Sequence, residues 1–439
     1  MWKRMLRCLV PLLGLSLLAI FAALYTRDSG VYYQALVTIG VPAWTYPFID
    51  WEYIGAGIKC WNEGINVYIT NPCDLLNRSH VQSPLWLRAV FIPTDRSWTI
   101  PSGVVLVLAY LISLFWLVKP VNWQELIIFA LACTSPTVFY ALERGNTDII
   151  IFIMLVVAGV LSTGPLASRI LSYALILLAA LLKFYPLLVL STALRERPRI
   201  FTSIAAAAGL IIVGFCYRFR EELALAWKNN PPRLFGFSSA NLPFYGPLRA
   251  VRLFPGLEEV AWFTALPYAI LVVLLGVTAV QVIRLARSGG LVSAFEKMPE
   301  RDAIFLVIGA ALIVACFFGG QNDGYRGVHL IFVVAGVVAM RRVADNPATR
   351  ATLTQAVMIV VFLMWQQFFT QIVHQEQPGL GYGFYWLIRE VLWWRLAALL
   401  LAMLAIFGAK SKPFAALQQW RALRTRNHTP LFDRANGGS

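Results

Sequence analysis

The sequence predicts an all-α, polytopic integral membrane protein, and three observations support this prediction. Of the 439 residues, 59% are hydrophobic and only 13% are charged, whereas a soluble globular domain carries roughly 25% charged residues. Apolar runs long enough to cross a bilayer recur from one end of the chain to the other. The formal charge of +15 is concentrated in short segments between these runs. We therefore expect about 12 membrane segments, short half-spans included.

Ten apolar runs are candidate spans, since a span needs roughly 20 mostly apolar residues and fewer where protein covers its ends. They are residues 9–25, 103–118, 126–142, 149–161, 200–216, 262–283, 303–318, 328–340, 353–369 and 385–407. The stretch 170–194 is long for one span and is interrupted by Lys183-Phe184-Tyr185-Pro186. Because proline removes a backbone donor and a lysine would lie in lipid, we interpret this stretch as two half-spans that meet at Lys183.

The distribution of basic residues fits this interpretation. If the stretch 170–194 returns to its starting side, the arginines at 195, 197 and 199 and the basic tail lie on the same side as the N-terminus. The positive-inside rule is then satisfied throughout. We expect one integral domain, residues 1–412, and a polar cytoplasmic tail, residues 413–439. The excess of basic residues indicates the topology, and it also gives the protein affinity for anionic membrane lipid. It does not indicate nucleic acid as a partner.

Two outer segments are long, residues 26–98 and 217–261, and long loops are where function usually lies. In the first, Asp50-Trp51-Glu52-Tyr53-Ile54 opens a segment with apolar residues at 54, 58, 61 and 65, which is typical of an amphipathic helix. Asp50 could be the N-cap of this helix or a general base at the membrane surface, and the two roles are compatible. Glu52 is two residues further on, so a helix would turn it away from Asp50.

The outer turn Glu143-Arg144-Gly145-Asn146-Thr147-Asp148 is followed by a run of apolar residues, 149–161. Polar groups at this depth are costly unless they face each other or a cavity. The structural alternative is that Glu143 pairs with Arg144 and Asp148 caps the next helix. Lys183 belongs to the same outer plane, where it could either snorkel to the surface or face a site shaped by the proline break.

A third polar segment is Asp323-Gly324-Tyr325-Arg326-Gly327-Val328-His329. Arg326 and His329 are three residues apart and would share one helical face. Arginine presents a planar fork suited to phosphate, and a nearby histidine can add a hydrogen bond. The structural alternative is a salt bridge from Arg326 to Asp323, with His329 bonded to a carbonyl.

The sequence indicates neither a metal nor a cofactor. The four histidines form no cluster with cysteines at ligand spacing, and nucleotide-binding loops and dinucleotide fingerprints are absent from the sequence. The energy for any reaction must therefore come with the substrate. Cys60 and Cys73 share the first outer segment and could form a disulfide if that side is oxidising.

The motifs of the first half of the chain resemble a known family. Asp50-Trp51-Glu52-Tyr53, then Gly64-Ile65-Asn66-Val67-Tyr68, then Ser83-Pro84-Leu85-Trp86, resemble the first outer loop of the GT-C glycosyltransferases of family 87, the polyprenyl-phosphate-mannose-dependent α-mannosyltransferase type. The turn at 144–148 and the element at 183–186 also fit that family. The fold class implied is a GT-C membrane protein with two long extracytoplasmic loops.

The resemblance implies an inverting transfer of one sugar from a polyprenyl-phosphate donor to a glycolipid or glycan acceptor. Asp50 is the expected general base, and Lys183, Arg326 and His329 are expected to hold the donor phosphate. Further substrate contacts are expected from Glu52, Tyr53, Arg144, Asn146, Asp148, Tyr185 and Asp323. We expect an integral protein of the bacterial inner (plasma) membrane, with the active site on its periplasmic, extracytoplasmic side. The second outer segment could close over the substrates through its aromatic residues Phe235, Phe237, Phe244 and Tyr245.

Two other functions remain open from the sequence. A transporter or flippase for a lipid-linked saccharide would need charged residues along a path near the bilayer midplane, whereas these residues cluster at the outer end. A polysaccharide polymerase or ligase, which also has large outer loops, would transfer whole chains from a polyprenyl diphosphate.

We predict that both termini and the turn at 195–199 are cytoplasmic, whereas Asp50 and Lys183 face outward, because only that arrangement keeps the basic short loops inside. A cysteine introduced in place of Arg197 should react with a membrane-impermeant maleimide only after the membrane has been opened. Labelling of this position from the outside would rule out the two half-spans.

Overall fold

The computed structural model describes residues 2–230, 236–253, 263–320, 322–376, 379–416 and 418. These residues form α-helices and short 3₁₀ or π turns, and the described ranges contain no β-strand, which confirms the all-α class. The helices are α1 (Trp2–Arg27), α2 (Ser29–Thr38), α3 (Ile49–Asn62), α4 (Thr99–Leu117), α5 (Trp123–Cys133), α6 (Pro136–Glu143), α7 (Thr147–Leu161), α8 (Leu166–Leu182), α9 (Pro198–Arg218), α10 (Arg220–Asn229), α11 (Gly246–Leu253), α12 (Leu266–Ala286), α13 (Gly289–Lys297), α14 (Glu300–Gly319), α15 (Leu330–Val343), α16 (Pro347–Met364), α17 (Gln366–Glu376) and α18 (Leu380–Ala409).

Within the described ranges, seven helices are long and apolar enough to cross a membrane: α1, α4, α9, α12, α14, α16 and α18. The helices α5 and α6 form an eighth span only if they are taken together, since they meet at a bend of 44°. The stretch 126–142 is therefore not the continuous span that its hydropathy predicts. Ser135 accepts a hydrogen bond from the Val138 amide and Pro136 follows at the first helical position, so a new helix begins there. The figure of about 12 segments stays a prediction.

The helix α14 is the centre of the bundle, and it packs against α7, α15 and α18. In the most apolar 18-residue stretch of α14, 72% of the residues are buried inside the protein, whereas in the corresponding stretch of α12 only 6% are buried. Glycines bring α14 and α15 close together: a Cβ on Gly309 would lie 2.9 Å from the Val333 nitrogen, and a Cβ on Gly336 would lie 2.8 Å from the Leu306 Cα. Small residues are the usual means by which membrane helices approach so closely.

The stretch 170–194 is broken at Lys183, as its proline and lysine predict. The helix α8 ends at Leu182, Lys183 is extended, and a 3₁₀ helix, Tyr185–Arg195, packs back along α8. Arg169, near the start of α8, lies 2.7 Å from Glu196, which follows the 3₁₀ helix. The two ends of the stretch therefore lie side by side, as two half-spans meeting at Lys183 require.

The first outer segment is built on α3, which confirms the helix predicted after Asp50. Residues 52–58 are all buried, so this part of the helix lacks the exposed face that an amphipathic pattern predicts. Cys60 at the end of α3 forms a disulfide with Cys73, so the pairing left open by the sequence is present. Val67, Tyr68 and Leu87 pack in the same small apolar cluster as Cys60. This cluster fixes the segment that follows α3.

The second outer segment is described only in part, since residues 231–235 and 254–262, and with them Phe235, lie outside the described ranges. Phe237 is fully buried and stacks on Trp393 of α18, with 4.2 Å between ring centroids. Phe244 packs edge-to-face against Tyr268 of α12. Phe237 is therefore a core residue, and the prediction that it closes over a substrate is wrong. Most of the tail, residues 413–439, also lies outside the described ranges.

Candidate active site

The first turn of α3 is joined by its backbone to the turn between α6 and α7. The Phe48 amide donates to the Glu143 carbonyl at 2.6 Å, and the Asp50 amide donates to the Arg144 carbonyl at 2.9 Å. Gly145 has φ +57°, and a Cβ there would lie 2.8 Å from the Trp51 Cβ. Glycine is needed at this position for both its conformation and its small size, and the two segments pack closely as a result.

The Asp50 carboxylate accepts hydrogen bonds from four donors on three residues. Arg144 donates from Nε at 2.8 Å and from Nη2 at 2.7 Å, Asn146 donates at 2.7 Å, and Arg78 donates at 3.1 Å. Phe48, not Asp50, is the N-cap residue of α3. The N-cap alternative for Asp50 is therefore wrong, and so is a Glu143–Arg144 pair, because the Arg144 fork is occupied by Asp50.

The pKa of Asp50 follows from two opposing influences. Burial disfavours the charged carboxylate, but the Arg144 guanidinium, Arg78 and the Asn146 amide together outweigh burial and hold the pKa of Asp50 below its usual value. Asp50 is thus ionised at neutral pH. The stability contributed by these contacts is present above the unfolded pKa of about 3.9 and is lost as the pH falls through the lower folded pKa.

A second carboxylate, Asp148, lies fully buried in the first turn of α7. The Lys183 ammonium donates to it at 2.7 Å, and the Tyr185 hydroxyl also donates to it. The Arg326 Nε and the His329 Nε2 each lie 3.9 Å from Asp148. The three polar segments identified in the sequence therefore meet at a single carboxylate.

Several sequence-based alternatives are corrected by this cluster. The cap of α7 is Asn146, whose Oδ1 accepts from the Asp148 amide at 3.0 Å, so Asp148 is not the cap. His329 is bonded to the Tyr185 hydroxyl at 2.8 Å rather than to a carbonyl. Lys183 and Arg326 both face Asp148, the carboxylate that the sequence analysis assigned to a helix cap.

Asn146 joins the two carboxylate clusters. Its Nδ2 donates to Asp50, and its Oδ1 lies 3.4 Å from the Lys183 ammonium. One short side chain, itself buried, therefore fixes the spacing between the Asp50 cluster and the Asp148 cluster.

Both clusters lie at an open cavity of about 1730 Å³. Eight of the predicted site residues line it: Asp50, Tyr53, Arg144, Asn146, Lys183, Tyr185, Asp323 and Arg326. Asp148 and His329 lie behind this wall, where they contact Lys183 and Tyr185. Glu52 does not reach the cavity and instead pairs with Arg96 at 3.1 Å, so its predicted role as a substrate contact is not supported.

Arg78 is a site residue that the sequence analysis missed. Its guanidinium bridges Asp74, at 2.8 Å, and Asp50, at 3.1 Å, and it lines the cavity. The spacing of four residues between Asp74 and Arg78 indicates a local ion pair. The sequence contains no signal for the contact with Asp50, which depends on how the loop folds back onto α3.

An apolar groove of about 650 Å³ adjoins the cavity. Its walls come from the 3₁₀ helix Tyr185–Arg195, α12, α14 and α18. Among the described residues that line it, only Ser191 and Thr278 are polar. Leu188 and Phe318 line both the groove and the cavity. The polar site is therefore continuous with an apolar surface of the membrane-spanning bundle.

Part of the chain matches a known protein family. Residues 91–298 match the model of glycosyltransferase family 87. The matched segment contains the turn at 143–148, Lys183 and Tyr185, whereas Asp50 and Arg326 lie outside it. No curated protein and no solved structure matches the chain.

The resemblance to glycosyltransferase family 87 is thus confirmed over just under half of the chain. The match indicates a glycosyltransferase, which acts on a sugar donor and an acceptor. Together with the long apolar helices, it indicates a multi-pass membrane protein.

We predict that Asp148→Asn destabilises the protein by about 3 to 5 kcal/mol, because it leaves the buried Lys183 ammonium without a carboxylate. The double variant Asp148→Asn/Lys183→Met should recover most of this loss. Denaturant or thermal unfolding of the detergent-purified protein measures both effects.

The matched control for this prediction is Asp302→Asn. Asp302 lies 3.9 Å from Lys119 in a partly exposed pair, so its loss should change stability by less than about 1 kcal/mol. Equal destabilisation by the two single variants, or no recovery in the double variant, would show that the Asp148–Lys183 pair is not a buried charge pair.

Proposed function

We propose that this glycosyltransferase moves a single sugar from a polyprenyl-phosphate donor to a glycolipid or glycan acceptor at the extracytoplasmic membrane face. The observation that carries the proposal is the cavity in which an ionised carboxylate and several cations lie beside the opening of an apolar groove. A polyprenyl-phosphate sugar has three parts that complement them: a phosphate for the cations, a hydrocarbon chain for the groove and a sugar that reacts beside the carboxylate. The Cys60–Cys73 disulfide favours an oxidising compartment for the first outer segment.

The donor phosphate is assigned to Lys183 and Arg326. The Lys183 ammonium has three donors, of which Asp148 and Asn146 take two, and Lys183 lines the cavity. The Arg326 Nε has no hydrogen-bond partner among the described residues and lies beyond bonding distance from Asp148. Two cations placed in this way would stabilise the charge that develops on a phosphate leaving group.

His329 takes a different part from the one the resemblance implies. It is fully buried behind Tyr185 and bonded to the Tyr185 hydroxyl. Asp148 and His329 are therefore assigned to positioning Lys183 and Tyr185, whose side chains line the cavity.

Asp50 is assigned as the general base. The acceptor hydroxyl oxygen attacks the anomeric carbon in line, the bond from that carbon to the phosphate oxygen breaks, and the anomeric configuration inverts. The hydroxyl proton passes to Asp50, and polyprenyl phosphate leaves. Because the Asp50 oxygens already accept four hydrogen bonds from Arg144, Asn146 and Arg78, the acceptor hydroxyl has to displace one of them before the proton moves.

The donor assignment predicts a dependence on lipid chain length. Each buried methylene group contributes about 0.8 kcal/mol, so the wild-type protein should show a lower KM for decaprenyl-phosphate mannose than for farnesyl-phosphate mannose. Ala279→Trp, which fills the groove, should raise the KM for the long donor towards that for the short one. Initial rates of the purified protein with the two labelled mannose donors measure these KM values. The corresponding glucose and arabinose donors are tested as well, to show which sugar is transferred.

Val277→Trp is the control, since Val277 lies on the same helix with half of its surface exposed and does not line the groove. Turnover with none of the donors would refute the proposed function. Turnover in which Ala279→Trp and Val277→Trp behave alike would refute only the placement of the chain in the groove.

Asp50→Asn should lower transfer by about two to four orders of magnitude, the usual contribution of a positioned base. Asp74→Asn is the matched control, because Asp74 holds Arg78 but does not line the cavity. Glu52→Gln should be milder than Asp50→Asn. Rates, donor binding and thermal stability of the three variants are compared. If Asp74→Asn were as inactive as Asp50→Asn, the role of Asp50 would be to hold the arginines rather than to accept a proton.

A further inference from the structure

We propose that the face of α10 towards the cavity is the acceptor subsite, and that the Trp227 indole is the surface on which the acceptor sugar stacks. This inference rests on the proposed function and extends it to Trp227, a residue that the sequence analysis did not single out.

The helix α10 is fixed in place although it belongs to a long outer segment. Ala226 is buried in the apolar cluster of Cys60 and Tyr68. The Asn229 side chain donates to the Tyr68 carbonyl, and Glu222 lies 3.7 Å from Arg88 of the first outer segment. An apolar contact, a hydrogen bond and an ion pair thus hold α10 against the disulfide-bonded part of the chain.

One side of α10 forms a wall of the cavity. Leu223, Ala226, Trp227 and Asn230 recur at spacings of three and four, which places them on one face, and all four line the cavity. Trp227 is 82% exposed. A rigidly mounted helix therefore presents a large aromatic ring to the space that contains Asp50.

The groups around Trp227 suit a carbohydrate. Asn229 at the end of α10, Asn230 directly after it and Gln82 of the first outer segment contribute to the same cavity wall. Side-chain amides both donate and accept hydrogen bonds, as sugar hydroxyls require. The C–H face of a sugar ring carries partial positive charge, which is attracted to the negative face of an aromatic ring. The combination of one exposed indole and several amides matches a sugar better than it matches a lipid chain.

The subsite is assigned to the acceptor because of its position in the cavity. None of the residues that line the apolar groove comes from α10 or from the first outer segment. The wall of α10 is instead connected to Asp50 through the segment 78–83: Arg78 contacts Asp50, and Tyr68 links the Gln82 carbonyl to Asn229. A sugar on Trp227 therefore lies on the side of the general base, away from the opening for the donor chain.

An alternative use of Trp227 is to anchor α10 in the membrane interface, where exposed tryptophans are common. An anchor acts on stability and membrane association and has no effect on the KM for one of two substrates. The kinetics of a variant therefore separate the two roles.

The test compares Trp227→Ala, Trp227→Phe and Trp98→Ala in detergent and in lipid nanodiscs, with acceptor and donor concentrations varied independently. Trp98 is the control, since it is 56% exposed in the first outer segment and does not line the cavity. Trp227→Ala should raise the KM for the acceptor roughly tenfold, the value of one stacked ring, with kcat and the KM for the donor unchanged. Trp227→Phe should stay within about twofold of the wild-type protein, because it keeps an aromatic face.

A binding measurement separates this inference from the proposed function. Saturation-transfer NMR with lipid-free mannose, glucose and galactose oligosaccharides should show ring-proton contacts in the wild-type protein and in Trp98→Ala, and these contacts should be lost in Trp227→Ala. The inference is overturned if Trp227→Ala keeps the wild-type acceptor KM and sugar contacts, or if Trp98→Ala loses them equally. Absence of transfer by a wild-type protein that still binds sugar through Trp227 would refute the proposed function alone.

Discussion

The buried ion pair between Asp148 and Lys183 is the contact on which the rest of the site depends. Neither charge can be left alone in an apolar bundle, so the pair holds the start of α7 against the break that follows α8. The break in turn directs the 3₁₀ helix Tyr185–Arg195 back along α8. The Tyr185 hydroxyl donates to Asp148 and is also bonded to His329, and the cavity wall forms around them.

The same pair explains why a polar site can exist at the end of so apolar a bundle. Asn146 transmits the position of Lys183 to Asp50 through a single amide, so the two carboxylates keep a fixed separation. The backbone bonds from Phe48 and Asp50 to the turn at 143–144 add a second restraint. The site is therefore rigid for reasons of charge and hydrogen bonding, and apolar packing alone would not define it.

The sequence allowed prediction of those features whose physical cause is local. The break at Lys183 follows from a proline and a lysine within one apolar run, and α3 follows from the spacing of its apolar residues. Local causes can also be overlooked: Ser135 and Pro136 are a helix start, yet the hydropathy of residues 126–142 predicted one span. Contacts between distant segments left no such trace. Asp50 and Arg144 are 94 positions apart, and the chain between them offers no pattern that pairs them. Arg78 was missed for the same reason, and Glu52 was expected at the substrate although it pairs with Arg96.

The disulfide of the first outer segment has a consequence for the order in which the protein matures. Cys73 is followed directly by Asp74, which holds Arg78, which in turn holds Asp50. Since disulfides form in oxidising compartments, the Cys60–Cys73 bond closes only where this segment meets such a compartment. Until that bond closes, the segment that holds Arg78 against Asp50 lacks its covalent restraint, so a chain that has not yet reached such a compartment keeps the surroundings of Asp50 less firmly fixed.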